Sequence, residues 1–176
     1  MTEACAFGQC VFGRQCVQGD GPMPAPLMLI GEAPGAYELK LGKPFVGRSG
    51  ELLNELMREV GIARADVRIA NRCGCVDMTR EDKRPLPAEL DACRPRLDLE
   101  IELTEPTVIL LMGNTAISTF FPGERVGRIY NCVRAVRDVL VIPTYHPAAS
   151  LRGNAQVRPV IRDALALAKR LSEEVT

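Results

Sequence analysis

Short, almost uninterrupted apolar runs alternate along this chain with longer stretches in which apolar residues return every three or four positions. Residues 27–30 (LMLI) and 107–112 (TVILLM) are nearly continuous runs, the pattern of strands buried on both faces of a parallel sheet. Residues 67–70 (VRIA) and 139–144 (VLVIPT) are predicted to be two further strands. Between them the period changes to that of helices. Over 48–60, Leu52, Leu53, Leu56, Met57 and Val60 form one stripe, with Ser49 as the expected N-cap and Gly61 as the stop. Over 87–103, Leu90, Cys93, Leu97 and Ile101 recur behind an entrance rich in proline. A short helix is expected over 114–121, ended by Pro122 and Gly123, and a last one over 155–173. Residues 124–138 follow neither period and are expected to be irregular or to hold a short strand. The alternation predicts an α/β fold, a three-layer α/β/α sandwich around a four-stranded parallel sheet with right-handed crossovers. At 176 residues the chain is expected to form one domain over 1–176.

Each predicted strand ends in residues of special character: Gly31 and Glu32, then Asn71, then Gly113 and Asn114, then Tyr145, His146 and Pro147. Ligands of open parallel sheets bind outside the carboxyl ends of the strands. Glu32, Asn71 and His146 are therefore expected to converge. His146 is the one histidine of the chain. With no second histidine and few acids near it, a hydrolytic zinc site is disfavoured, and no GxSxG elbow supports a serine triad. His146 reads instead as a hydrogen-bond donor to developing negative charge. The loop from Gly31 to Gly50 carries five glycines and two prolines, so it offers main-chain N–H groups close to a strand end. Phe45 in that loop is either a core anchor or a platform for stacking a flat ligand. Tyr37 and Glu38 share the loop and are placed to border a pocket.

Composition changes this picture in one respect. Hydrophobic residues make up 47% and charged residues 25%, ordinary for a globular protein. The formal net charge is zero, so a nucleic-acid partner would have to meet a local basic patch. No apolar run is long enough to span a bilayer, and the first 20 residues carry no secretory pattern. No membrane partner and a cytoplasmic location are the expectations. The seven cysteines stand out, three at positions 5, 10 and 16 and three at 73, 75 and 93. In a reducing compartment such grouping points to a metal or cluster site. Cys132 lies apart and reads as a small apolar residue.

The motifs GEAPG at 31–35 and GKPFVGRSGELL at 42–53, with IAN at 69–71, LPAELDACRPRL at 86–97, ILLMGNTA at 109–116 and YHPAASLR at 145–152, resemble those of the uracil-DNA glycosylase superfamily. They are most similar to its iron–sulfur-containing family, family 4. The resemblance covers almost the whole chain. It implies an enzyme of base excision repair that flips uracil out of DNA and hydrolyses its N-glycosidic bond, leaving an abasic site. By the same resemblance Phe45 stacks on the uracil, Asn71 reads its Watson–Crick edge, and His146 donates to O2 of the departing base. Glu32, Ala33 and Gly35 line the pocket, and Glu38 lies near C5, where it shapes the pocket against thymine. Ala33 stands where a better-known branch has a water-activating aspartate.

The resemblance also implies a [4Fe–4S] cluster on four cysteines, for which residues 1–25 form the N-terminal binding segment. Cys75 and Cys93 match two ligand positions. Cys5 and Cys10 are the expected N-terminal pair, although their spacing departs from the common C-x-x-C. Cys16 and Cys73 are substitutes, and a structural zinc site is the alternative. Arg48, Leu151 and Arg152 are the expected DNA contacts, Leu151 as the wedge left in the duplex; Lys43, Arg72, Arg80, Lys83 and Arg84 are further candidate cations. The partner is uracil-containing DNA, single- or double-stranded, and the protein is expected to be a monomer. Ala148, Ala149 and Ser150 replace bulkier residues of the family. A catalytically weak or inactive glycosylase-like iron–sulfur DNA-binding protein is the competing reading, motivated by the cysteine spacing and the insert at 76–83. A covalent DNA-linking variant is disfavoured because residues 76–92 contain no histidine, and an electron carrier would not need Asn71, His146 or Phe45.

Overall fold

The computed structural model describes residues 10–175. Its sheet has the order β2-β1-β3-β5-β4, with β1 Leu27–Gly31, β2 Arg68–Asn71, β3 Val108–Met112, β4 Arg134–Val136 and β5 Val139–Thr144. β1, β2, β3 and β5 run parallel, and these are the four strands expected from the apolar runs. The fifth strand, β4, pairs antiparallel with β5. It lies in the stretch that follows neither period, because an edge strand is covered on fewer sides and needs no apolar run.

Among the described residues there are seven α-helices: α1 Ala36–Leu41, α2 Arg48–Glu59, α3 Pro87–Thr104, α4 Asn114–Ile117, α5 Val126–Ile129, α6 Pro147–Leu151 and α7 Val157–Glu174. One core layer sits between the sheet and helices α2 and α7, built from Leu53, Leu56, Leu110, Ile161 and Leu165 among others. The opposite layer packs Met28, Ile30, Ile109 and Leu111 against Leu97 of α3 and Ile117 of α4. The main strands are buried throughout, which explains why their sequence does not alternate. α2 begins after Gly47 rather than Ser49; the backbone amide of Gly47 is already engaged by Glu38. The expected helix over 114–121 closes after four residues. The segment Pro147–Leu151 is a short helix that starts on proline and is capped by His146.

Candidate active site

The carboxyl ends of β1, β2 and β5 bring Glu32, Asn71 and His146 to one end of the sheet. A cavity of about 170 Å³ opens there, lined by Ala33, Gly35, Glu38, Phe45, Asn71 and His146, with Ser49 at its rim. Of the residues expected to form the pocket, Ala33, Gly35, Glu38, Phe45, Asn71 and His146 line this space. Glu32 lines the adjoining groove instead.

His146 is the N-cap of α6. Its Nδ1 accepts a hydrogen bond from the Ala148 backbone N–H at 3.1 Å. An accepting Nδ1 places the proton of the neutral ring on Nε2, so the free nitrogen is a donor. Burial pushes the imidazole down to about 4, and Arg152 adds to this, against the opposing pull of the Glu32 and Glu38 carboxylates. The ring is therefore neutral at neutral pH.

Phe45 stacks with the His146 ring at a centroid separation of 5.5 Å and an interplanar angle of 29°. It is only 4% exposed and joins the core on its inner side. Phe45 thus belongs to the core and also borders the cavity. Its backbone is in the left-handed region, with φ 52°, and it is clamped from two sides. Arg64, in the 3-10 turn Arg64–Asp66, donates to the carbonyls of Phe45 at 3.2 Å and Pro44 at 2.6 Å. Glu38 accepts from the N–H groups of Val46 at 3.0 Å, Gly47 at 2.8 Å and Gly35 at 3.2 Å. Glu38 therefore lines the cavity with a carboxylate already engaged in holding the loop. Gly50 makes the clamp possible, because a Cβ there would meet the Phe45 carbonyl oxygen at 1.9 Å.

Asn71 is 4% exposed, and its side-chain Oδ1 is buried with no hydrogen-bond partner. An unpartnered buried amide oxygen costs roughly 1–3 kcal/mol. A ligand that donates a hydrogen bond here removes that cost. Gly31 lets the ring and the amide approach each other over the end of β1: a Cβ at Gly31 would lie 2.5 Å from Phe45 Cζ and 2.6 Å from Asn71 Oδ1. Gly31→Ala is accordingly expected to displace the Phe45 ring and the Asn71 amide, leaving a folded protein that no longer binds free uracil, the ligand that the motifs lead one to expect. Titration calorimetry checks this, and binding equal to wild type would contradict the placement of the site.

A second, larger groove of about 490 Å³ adjoins this cavity through Ala33 and His146. Lys83, Arg84, Arg125 and Arg152 line it. Arg125 was not singled out by the sequence. Thr115 hydrogen-bonds Glu32 Oε2 at 2.5 Å on its wall. Leu151, on α6 beside Arg152, is 40% exposed. Arg48 is exposed at the start of α2 and lines neither space. Arg72 and Arg80 do not serve as free cations. Arg72 is buried and donates to Ser118 and to the Thr115 carbonyl; Arg80 binds the buried carboxylate of Glu89, which also receives Arg14.

The sulfur-rich site forms between the segment after β2 and α3. The Sγ atoms of Cys73, Cys75 and Cys93 lie within 4.8 Å of one another, all buried. Cys10 Sγ lies 3.0 Å from Cys75 Sγ. The structure thus adds Cys73 to the expected Cys10, Cys75 and Cys93, while Cys5 falls outside the described residues. Crowding pushes the Cys75 thiol up, first through its hydrogen bond to Cys73. The Cys93 thiol falls well below its ordinary range, first through the hydrogen bond from Cys73 and then that from Cys75. Four converging sulfurs without a histidine or carboxylate suit a thiolate-bound iron–sulfur or zinc centre. Cys132 is exposed and apart. Among the described residues no helix is long and apolar enough to cross a membrane.

Residues 18–167 match the family described as the uracil DNA glycosylase superfamily. The chain is 38% identical over 157 residues to the type-4 uracil-DNA glycosylase of Thermotoga maritima, covering 87% of this chain and 81% of that one. It is 38% identical over 162 residues to the enzyme of the same name from Saccharolobus solfataricus, covering 86% and 74%. Among solved structures, SMUG2 of Pedobacter heparinus superposes with a TM-score of 0.52 at 13% identity, over 85% of this chain and 77% of that one. At that identity the likeness concerns the fold alone.

Proposed function

The chain belongs to the uracil-DNA glycosylase superfamily, and from that membership and the geometry of the cavity we propose that it excises uracil from DNA as a DNA N-glycosylase. The carrying observation is the pairing of an orphaned amide oxygen with a fixed donor. Asn71 Oδ1 waits unpartnered beside an imidazole whose proton is held on Nε2. Uracil matches both groups. Its N3–H donates to Asn71 Oδ1, the Asn71 amide donates to O4, and O2 faces His146. Cytosine lacks that N3–H and carries an amine in place of O4, so it would leave buried polar groups unpaired.

The residues then divide the work. The base leaves the stack and enters the cavity, at a cost of a few kcal/mol, and lies against the Phe45 ring. As the bond between N1 and the sugar C1′ breaks, its electron pair passes to the uracil and accumulates on O2. A neutral Nε2–H donor placed there stabilises the anion without first giving up a proton. Water adds at C1′ and loses a proton, the uracil anion gains one, and the products are the abasic sugar and free uracil. Ala33 offers no carboxylate for that water, so leaving-group stabilisation carries the reaction. Glu38 fixes the Phe45 loop and borders the C5 side, where a thymine methyl would crowd it. Lys83, Arg84, Arg125 and Arg152 present a basic groove to the phosphates, with Leu151 as the wedge.

Cys10, Cys75 and Cys93, completed by Cys73 or Cys5, would hold the cluster, which we assign as [4Fe–4S]. When bound it supplies a rigid thiolate crosslink between the N-terminal segment, the residues after β2 and α3.

Incubation with a uracil-containing oligonucleotide, followed by alkali, tests the assignment. The expected result is cleavage at the uracil position on single- or double-stranded substrate. The competing reading, a binding protein suggested by the cysteine spacing and the insert at 76–83, would be established by tight uracil-DNA binding without release of free base.

A further inference from the structure

The base-reading side chain poses a positioning problem. The Oδ1 end of Asn71 has no partner in the fold, so nothing at that end anchors it, and its aim must come from the backbone that carries it. One side of that backbone is fixed by the sheet. Asn71 lies opposite Gly31 in the β1–β2 register, and the Arg72 N–H donates to the Gly31 carbonyl at 3.0 Å. The other side is held by a single guanidinium. Arg96 Nη2 donates to the Asn71 carbonyl at 2.5 Å and to the Arg72 carbonyl at 3.4 Å.

Arg96 is itself fixed. Its Nη1 donates to Glu100 Oε2 at 2.6 Å, and the other oxygen of Glu100 receives Arg68 Nε at 2.9 Å. Arg96, Glu100 and Arg68 are 1%, 0% and 5% exposed. A buried ion network of this kind is weak evidence for stability, since apolar packing of equal volume often does as well. An apolar side chain at position 96 would, however, provide no donor for the carbonyl end of β2. Arg96 also lies three residues beyond Cys93 on α3, so one turn of helix carries both a sulfur ligand and this clamp.

We propose that Arg96 is a positioning residue for Asn71, fixing the carbonyl end of β2 so that the amide meets the pyrimidine edge in register. The inference rests on the uracil reading above, and the test separates the two. Arg96→Met, Arg96→Lys and Arg68→Met are compared with wild type in single-turnover uracil excision, inhibition by free uracil, thermal midpoint and visible absorbance of the cluster.

The expected result is that Arg96→Met keeps the cluster absorbance but needs at least about tenfold more free uracil for half-inhibition, with a matching loss of excision rate. Arg96→Lys recovers part of both, because an ammonium lacks the planar fork. Arg68→Met removes an equally buried partner of Glu100. It lowers the thermal midpoint while inhibition by free uracil stays within about twofold of wild type. Should Arg96→Met fail to fold, Arg96→Lys decides the matter in the same terms. Unchanged inhibition in a folded Arg96 variant, or equal weakening by Arg68→Met, overturns the positioning role. Wild-type protein that releases no uracil overturns the underlying reading instead.

Discussion

His146→Ala is expected to slow uracil release by about two to three orders of magnitude in single-turnover assays, the usual effect of removing one preorganised donor to a developing oxyanion. The size follows from how the ring is held. The Ala148 N–H occupies Nδ1, the Phe45 ring stacks with the imidazole, and the residue lines the cavity. The variant should keep its cluster absorbance, because the sulfur site lies on other elements.

The same geometry fixes the pH dependence. Burial lowers the His146 pKa from 6.5 to about 4, so the donor is neutral through neutrality and activity should not change on its account there. As pH falls toward about 4 the ring gains a proton on Nδ1, which then opposes the Ala148 N–H, and excision should decline. The sign for stability is the same. Between 6.5 and about 4 the unfolded chain binds a proton that the folded chain refuses, so this histidine's contribution to stability is complete above that window and is lost as pH falls through it. A rate profile peaking near the acid limit, or an acid limb at the ordinary histidine value, would contradict the neutral-donor account.

Asn71→Ala is expected to have the next largest effect, a loss of about a hundredfold or more in kcat/KM for uracil, with binding of free uracil weakened to match. On the proposed reading the buried Asn71 amide pairs with the pyrimidine edge, and alanine leaves uracil's N3–H and O4 without those partners. Asn71→Asp sharpens the test. A carboxylate keeps the shape but accepts only, so it opposes O4 and should bind uracil no better than alanine does. Equal inhibition by free uracil in wild type and both variants would place the base elsewhere.

The chain's pattern made the sheet legible because β1 and β3 are buried throughout and β5 over its last four residues, and these stretches admit almost nothing polar. The meeting of Glu32, Asn71 and His146 followed from the rule for strand ends, and their detailed roles came from the motif resemblance. Other features were harder to see. β4 is an edge strand with partly exposed residues, so it left no apolar run. Arg64 acts through backbone carbonyls, which no side-chain pattern encodes. Arg96 and Glu100 sit three and seven residues after Cys93 on the inward face of α3. Charges on an otherwise apolar stripe were a visible signal of a buried network, but their partners across the fold were not. Cys73 stood two residues before Cys75, and spacing alone did not rank it; the turn at Gly74 brings both sulfurs inward.

A crystal structure with uracil bound tests the central claim most directly. The account predicts the base in the cavity of about 170 Å³, flat against the Phe45 ring, with N3 and O4 on the Asn71 amide and O2 on His146 Nε2. Uracil bound outside that cavity, or in it with O2 turned away from the imidazole, would contradict the account.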